Sequence, residues 1–517
     1  MSTIGIELPP PVSAVMEDTD DEKSQQQQEQ PVIAPRHTTR GPWQKFVSYI
    51  WDADYYDKSD AERKLVFKLD CFMLAALTVG WWLKNLDQTN LSNAYVSGMR
   101  EDLKIHANQY TYMNTIYNAV VCGMQLPANF IVMKVRPSTF LALSEIGWGI
   151  FTFAQAGAQS YQAMYGFRFC IAFFESFYYP IAYFILGSWY TKSELAKRTG
   201  LWFIAGPAGS AFSGYMQAGI YKNMDGLHGL AGWRWLYIIC GVMTVPCGFL
   251  LWFLVPDFPE NTKVWYLTEE ERQLAKERSA RNGMQAMDGK INGRSILRVL
   301  TSWQLWVLAP WYAIYGFAVQ NGAQFAIYLR AEGYSVTMRN VLPSCMYIIE
   351  IPSLLIYTYI SDRIGNRYSR GWLCLFPLIW GIFPTAVLAF WGHSNALRVF
   401  AFMVTGTYYV TPVFYAWLAE ICGHNTELRG FVTGSTSCLF YCLNAWLPAI
   451  IFLQTDGPRF KKGFTTTFSF CIVAVVGVVI IWLFHRRDLR IKAQKQKEEG
   501  VLVEDPGMKR ESEESRA

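Results

Sequence analysis

The chain alternates between long apolar stretches and short polar intervals. A bilayer core needs about 20 apolar residues per helix. That ruler predicts spans over 69–90, 109–133, 137–157, 161–188, 198–221 and 233–256, then over 303–329, 338–361, 372–392, 395–418, 428–453 and 463–485. The stretches are apolar most of the way round, as a helix in lipid must be, where a soluble core helix needs only a stripe. The pattern therefore predicts an all-α membrane protein with twelve transmembrane helices in two six-helix halves. It divides the chain into a disordered tail over 1–65, a first half over 66–256, a linker over 257–302, a second half over 303–485 and a polar tail over 486–517. Within the linker, Glu269, Glu270, Glu271, Arg272, Lys276, Glu277 and Arg278 give a helical composition that predicts a surface helix.

Composition sharpens this picture. Hydrophobic residues make up 52% of the 517 and charged residues 17%, against about 25% charged in an ordinary soluble protein. The charges crowd into the two tails and the linker. The N-terminal region carries an acidic run, Glu17–Glu22, and a glutamine tract, Gln25–Gln28, and does not read as a secretory signal. With an even number of spans both termini share one side. That side also holds Lys134 and Arg136; Lys192, Lys197 and Arg198; Arg363, Arg367 and Arg370; and Arg486, Arg487 and Arg490. The positive-inside rule makes it cytosolic, against the basic loop with Arg459, Lys461 and Lys462 on the other side. The expected location is the plasma membrane.

Several function classes are disfavoured. The net charge of +5 follows membrane topology, with no separate basic domain for nucleic acid. The eleven cysteines include no CxxC pair, and those inside apolar runs are expected to act as small hydrophobes. No phosphate-cradling GxxxxGK[ST] loop occurs, so transport driven directly by ATP within this chain is not expected. No enzyme activity, cofactor or metal is predicted. The partners expected are a small organic anion, protons and the lipid bilayer, with the protein acting as a monomer.

An ionisable side chain at mid-bilayer costs at least about 2.5–3.5 kcal/mol, which makes each one a functional candidate. Lys84 and Asp87 share one face late in the first span, followed by Gln88 and Asn90. They read either as a mutually neutralising pair or as a proton- or substrate-linked pair facing a cavity. Arg168 and Glu175 lie two turns apart in the fourth span, again as a neutralising pair or with Glu175 as a protonatable switch. Glu350 stands alone in the eighth span. Gln320, Asn321 and Gln324 in the seventh and Asn444 in the eleventh offer neutral hydrogen-bonding groups along a solute path. The small-residue run Gly206–Ala211, with Gly214, predicts close helix packing. Asn90-Leu91-Ser92 matches a glycosylation sequon but lies too near the membrane to be used.

Several longer segments carry a family likeness. Ser361-Asp362-Arg363-Ile364-Gly365-Asn366-Arg367 resembles the loop signature between helices 8 and 9 of the major facilitator superfamily. Leu86–Met99, Leu186–Tyr190 with Glu194–Arg198, Asn444–Pro448 and Gln454–Gly463 resemble its anion:cation symporters, specifically the fungal allantoate and vitamin permeases. The likeness covers about residues 60–490. It implies proton-coupled uptake of a small organic acid, with pantothenate and biotin transporters nearest in appearance. It also implies Asp87 and Glu175 as proton-coupling residues, Arg168 as a coupling or substrate contact, and Asp362, Arg363 and Arg367 as the gating loop. Many members have Arg directly after the first-helix Asp, where this chain has Gln88. Lys84, one turn earlier, is the substitute cation on that face. Proton-driven export of a metabolite and nutrient sensing without transport are the rival readings.

Overall fold

The computed structural model describes residues 55–132, 135–281, 297, 299–364, 369–423 and 426–498. Residues 1–54 of the first tail and 499–517 of the second therefore lie outside the described residues, as do Lys134 and Arg367. Each of the twelve apolar stretches is helical. The first half consists of α1 (Asp60–Asp102), α2 (Gln109–Val132), α3 (Pro137–Ala154), α4 (Tyr161–Trp189), α5 (Lys192–Met224) and α6 (Gly232–Leu254). The linker helix, Glu269–Arg281, follows. In the second half α7 runs Trp303–Ala318 and resumes as Phe325–Ala331. After it come α8 (Val336–Ile364), α9 (Ser369–Phe390), α10 (Asn395–Cys422), α11 (Thr426–Ile451) and α12 (Lys461–Glu498).

Among the described helices, eight are long and apolar enough to cross a membrane by length and composition. The other four, α2, α3, α5 and α7, have a physical reason to differ. α2 packs on α11 and α5 packs on α8, so both face the opposite half as well as lipid. Their polar and small residues, such as Asn114, Asn118, Gln125 and Gly214, suit protein neighbours. α7 is interrupted by a turn over Gln320–Gln324, and α3 carries a glutamate in its middle. Large apolar side chains, including Phe249, Phe253, Phe376, Phe390 and Leu483, remain on the outside. A lipid environment accounts for that surface.

The small-residue run does pack helices closely. A Cβ at Gly206 would lie 2.9 Å from Trp81 Nε1 on α1, and one at Gly214 would lie 2.5 Å from Asn340 O on α8. The α5 backbone thus nearly touches helices of both halves.

The two ends of the bundle are tied differently. At the near end, where α1 begins and α12 finishes, Arg198 makes a two-pronged contact with Asp70, at 2.6 and 2.8 Å, and Tyr190 donates to the same carboxylate at 2.7 Å. The linker helix docks there through Lys68–Glu271 at 2.8 Å and the buried pair Arg278–Glu194. Breaking such a buried pair costs about 3–5 kcal/mol, because one charge stays behind without its partner. At the far end the bonds cross between halves. Asn340 Nδ2 donates to Ser97 Oγ at 3.0 Å and Gln454 N to Asn108 Oδ1 at 2.9 Å, while Arg330 pairs with Glu101. The far end is bonded shut.

Between the halves, Cys122 of α2 and Cys438 of α11 stand 4.0 Å apart, sulfur to sulfur. A disulfide needs about 2.05 Å, so a small side-chain movement suffices. With a protease site inserted in the linker, mild oxidation should keep the two fragments joined on a non-reducing gel, and Cys122→Ser should release them. Fragments that separate despite oxidation would mean that α2 and α11 do not pack in this register.

Candidate functional site

The charged residues of the first half converge on its interior. α1 supplies Lys84, Asp87 and Gln88, and α4 supplies Arg168 and Glu175. Both cations and both carboxylates are buried, with 1–5% of each exposed. Neither of the simple neutralising pairs forms. Among the described residues no carboxylate comes within ion-pair distance of Lys84, whose Nζ stands 5.1 Å from the Trp81 ring centroid. Asp87 instead accepts from Asn90 Nδ2 at 3.0 Å and from Thr152 Oγ1 of α3 at 3.4 Å.

Tyr117 of α2 separates Arg168 from Glu175. Its ring lies 4.5 Å from the Arg168 guanidinium carbon, a cation–π contact. Its hydroxyl donates to Glu175 Oε2 and accepts from Gln88 Nε2 at 2.5 Å. Gln88 also reaches Glu175 Oε2 at 3.4 Å. One tyrosine therefore joins α1, α2 and α4. Glu175 Oε1 and Arg168 Nε remain buried without a hydrogen-bond partner among the described residues. These open positions leave a guanidinium N–H and a carboxylate oxygen unsatisfied on two groups that share one tyrosine.

From Asp87 a ladder of polar side chains runs towards the far end. Ser213 Oγ of α5 donates to Asn90 Oδ1 at 2.8 Å, and Asn93 Nδ2 donates to Ser213 Oγ at 2.7 Å. Asn90 is fully buried within this ladder, so the sequon has no accessible side chain. One turn beyond Asn93, Ser97 meets Asn340 of the second half.

The second half contributes less directly. Asn321 is buried beside Tyr408, with Oδ1 unpartnered among the described residues, while Gln320 is exposed. Asn444 donates back to Phe440 O of its own helix at 2.8 Å, and its carbonyl accepts from Asn118 of α2 at 3.3 Å. It therefore sits on the contact between halves. Tyr441, also on α11, packs against the apolar core of the first half. Glu350 is half-buried on α8, with its Cβ close to Gly406 of α10. Asp362 and Arg363 close α8, but their side chains lie outside the described residues, as does Arg367.

Two members of the cluster are not evident from the ionisable residues singled out in the sequence. Tyr117 is one of 29 tyrosines and carries no local signal. Glu145 of α3 is fully buried and within electrostatic reach of Lys84, Asp87 and Glu175. Its signal was present: a single charge inside the apolar run Leu141–Ile146.

Comparison with known proteins gives a consistent result. A family model described as the Major Facilitator Superfamily matches residues 76–448. The transporter PfmaC of Pestalotiopsis fici is 32% identical, over 85% of this chain and 84% of its own. A pantothenate transporter of Schizosaccharomyces pombe is 31% identical, over 86% of each chain. A vitamin H transporter of Saccharomyces cerevisiae is 28% identical, over 86% of this chain and 76% of its own. Among solved structures, a bacterial homologue of the human lysosomal transporter Spinster, inward-facing and unoccupied, aligns with a TM-score of 0.60. That alignment covers 81% of this chain and 97% of the other at 14% identity, a likeness of fold.

Tyr117→Phe keeps the ring under Arg168 but removes the hydroxyl that Glu175 and Gln88 share. A hydrogen bond to a charged group contributes about 1.5–3 kcal/mol. The variant should therefore lose roughly tenfold or more in substrate affinity, measured by transport KM or direct binding. Tyr117→Ala should lose more, because the cation–π contact goes too. A Phe variant indistinguishable from wild type would remove Tyr117 from the site.

Proposed function

Starting from the chain's membership of the Major Facilitator Superfamily, as a multi-pass membrane transporter of small organic substrates, we propose that it is a proton symporter importing a small organic acid, pantothenate or biotin foremost. The observation that carries this reading is the Tyr117-centred cluster. Arg168 and Glu175 lie on the same tyrosine without pairing to each other, and each keeps an open hydrogen-bonding position. An anionic substrate is attracted to the guanidinium, and a proton to the carboxylate. The pantothenate and vitamin H transporters among its relatives support the choice of substrate.

In this mechanism the substrate carboxylate pairs with Arg168 and with Lys84. Lys84 acts as a point charge where many relatives in appearance have an arginine after Asp87. Asp87 and Glu175 take up protons, which removes buried negative charge in the loaded state and favours the conformation that crosses. Gln88 orients Tyr117, and Gln320, Asn321 and Asn444 contribute from the second half. The two halves rock about the midplane site, with Asp362, Arg363 and Arg367 gating the near end. Coupling follows only if substrate and proton bind the two conformations with different affinity. The protein acts as a monomer in the plasma membrane with both termini cytosolic. The closed far end then separates the site from the outside.

The test is uptake of labelled pantothenate and biotin by cells lacking their own vitamin permeases. Accumulation should rise at acid external pH and collapse with a protonophore. Asp87→Asn and Glu175→Gln should abolish accumulation while retaining exchange of labelled for unlabelled substrate. Lys84→Ala should raise KM for an acidic substrate by roughly tenfold or more, the scale of a lost charge-assisted hydrogen bond. Unchanged KM in Lys84→Ala, with binding abolished in Arg168→Ala, would exclude Lys84 from the carboxylate site. Absence of uptake for every candidate, with the protein at the surface, would favour export or sensing.

A further inference from the structure

Glu145 lies mid-way along α3, fully buried, and neither carboxylate oxygen has a hydrogen-bond partner among the described residues. The helix is held close to α6, where a Cβ at Gly248 would stand 3.0 Å from Ile146 N. The groups that face Glu145 come from three helices. α6 presents the Cys247 thiol, a weak donor. α4 presents Glu175 and Tyr178, and the Tyr178 hydroxyl is already committed to Leu77 O at 2.7 Å. α1 presents Asp87 and one cation, Lys84. Lys84 is itself buried, with no carboxylate at ion-pair distance among the described residues, and it lies within electrostatic reach of both Glu145 and Glu175. An ammonium on a flexible stem thus lies within electrostatic range both of an unsatisfied carboxylate on α3 and of Glu175 in the cluster around Tyr117.

We propose that Glu145 is a further proton-accepting residue: ionised, it draws Lys84 towards α3; protonated, it releases Lys84 to the substrate carboxylate. Proton and anion binding then favour each other through competition for one ammonium group, without contact between Glu145 and substrate. The proposal rests on the symport reading and adds a positioning residue to it. It also gives Lys84 two alternative partners, which a pairing with Asp87 alone would not.

The experiment uses the full-length protein in lipid nanodiscs. Pantothenate affinity is measured from acid to neutral pH for wild type, Glu145→Gln, Glu145→Asp and Lys84→Met with and without Glu145→Gln. Wild-type affinity should fall roughly tenfold per pH unit once Glu145 ionises. Glu145→Gln should flatten this fall, leaving only the part that Asp87 and Glu175 impose, and Glu145→Asp should restore the wild-type steepness. In the Lys84→Met background Glu145→Gln should change nothing. A Glu145→Gln profile as steep as wild type would overturn the proposal, as would an equal effect with and without Lys84. An infrared difference spectrum between the two pH values needs no substrate. Loss of a carboxyl C=O band in Glu145→Gln supports titration of Glu145, and an unchanged spectrum refutes it. If wild type binds no pantothenate or biotin, the substrate reading fails while the infrared result still decides the fate of Glu145.

Discussion

A charge buried in a low-dielectric interior must find compensation within the protein, because the surrounding lipid offers none. In the first half that compensation centres on the Tyr117 hydroxyl, which donates a hydrogen bond to Glu175 and accepts one from Gln88. The aromatic face below it holds Arg168. Three helices meet at this one side chain, so their relative positions are tied to the state of the charges they carry. A direct Arg168–Glu175 pair would satisfy the same two charges but leave less for a ligand. The intervening tyrosine keeps both groups in place and incompletely satisfied.

The same half links its interior to the far-end closure through polar side chains. Asp87, Asn90, Ser213 and Asn93 form consecutive hydrogen bonds, and Ser97 follows one turn later against Asn340 of the second half. α1 leaves regular helical geometry here, at Ser97 and Gly98, where Gly98 has a φ of 115°. A change in charge at Asp87 therefore bears on the hydrogen bonding of a helix whose end is in contact with the opposite half.

Much of this was legible in the sequence. The twelve helices follow from apolar length, and the family from dispersed segments such as Leu86–Met99 and Gln454–Gly463. Those segments contain the residues that hold the far end, among them Ser97 and Gln454. Lys84, Asp87, Gln88, Arg168 and Glu175 were visible because polar groups are rare in apolar helices. Their pairing was not. Helical spacing places Lys84 near Asp87 and Arg168 near Glu175, but a side chain from another helix can take either partner, and Tyr117 of α2 and Thr152 of α3 do. In a chain with 29 tyrosines no local pattern distinguishes the one that bridges. Glu145, a charge in an apolar run, was legible but not singled out, and the location of its neighbours on α1, α4 and α6 depends on tertiary packing.

The docking of the linker helix divides the molecule unevenly. Arg278 and Glu194 are both buried where the helix meets the start of α5, and Lys68 grips Glu271 beside it. The described part of the linker therefore belongs with α1–α6, which makes the first half a body of seven helices against six in the second. Changes within Glu269–Arg281 therefore alter the shape of the first body itself.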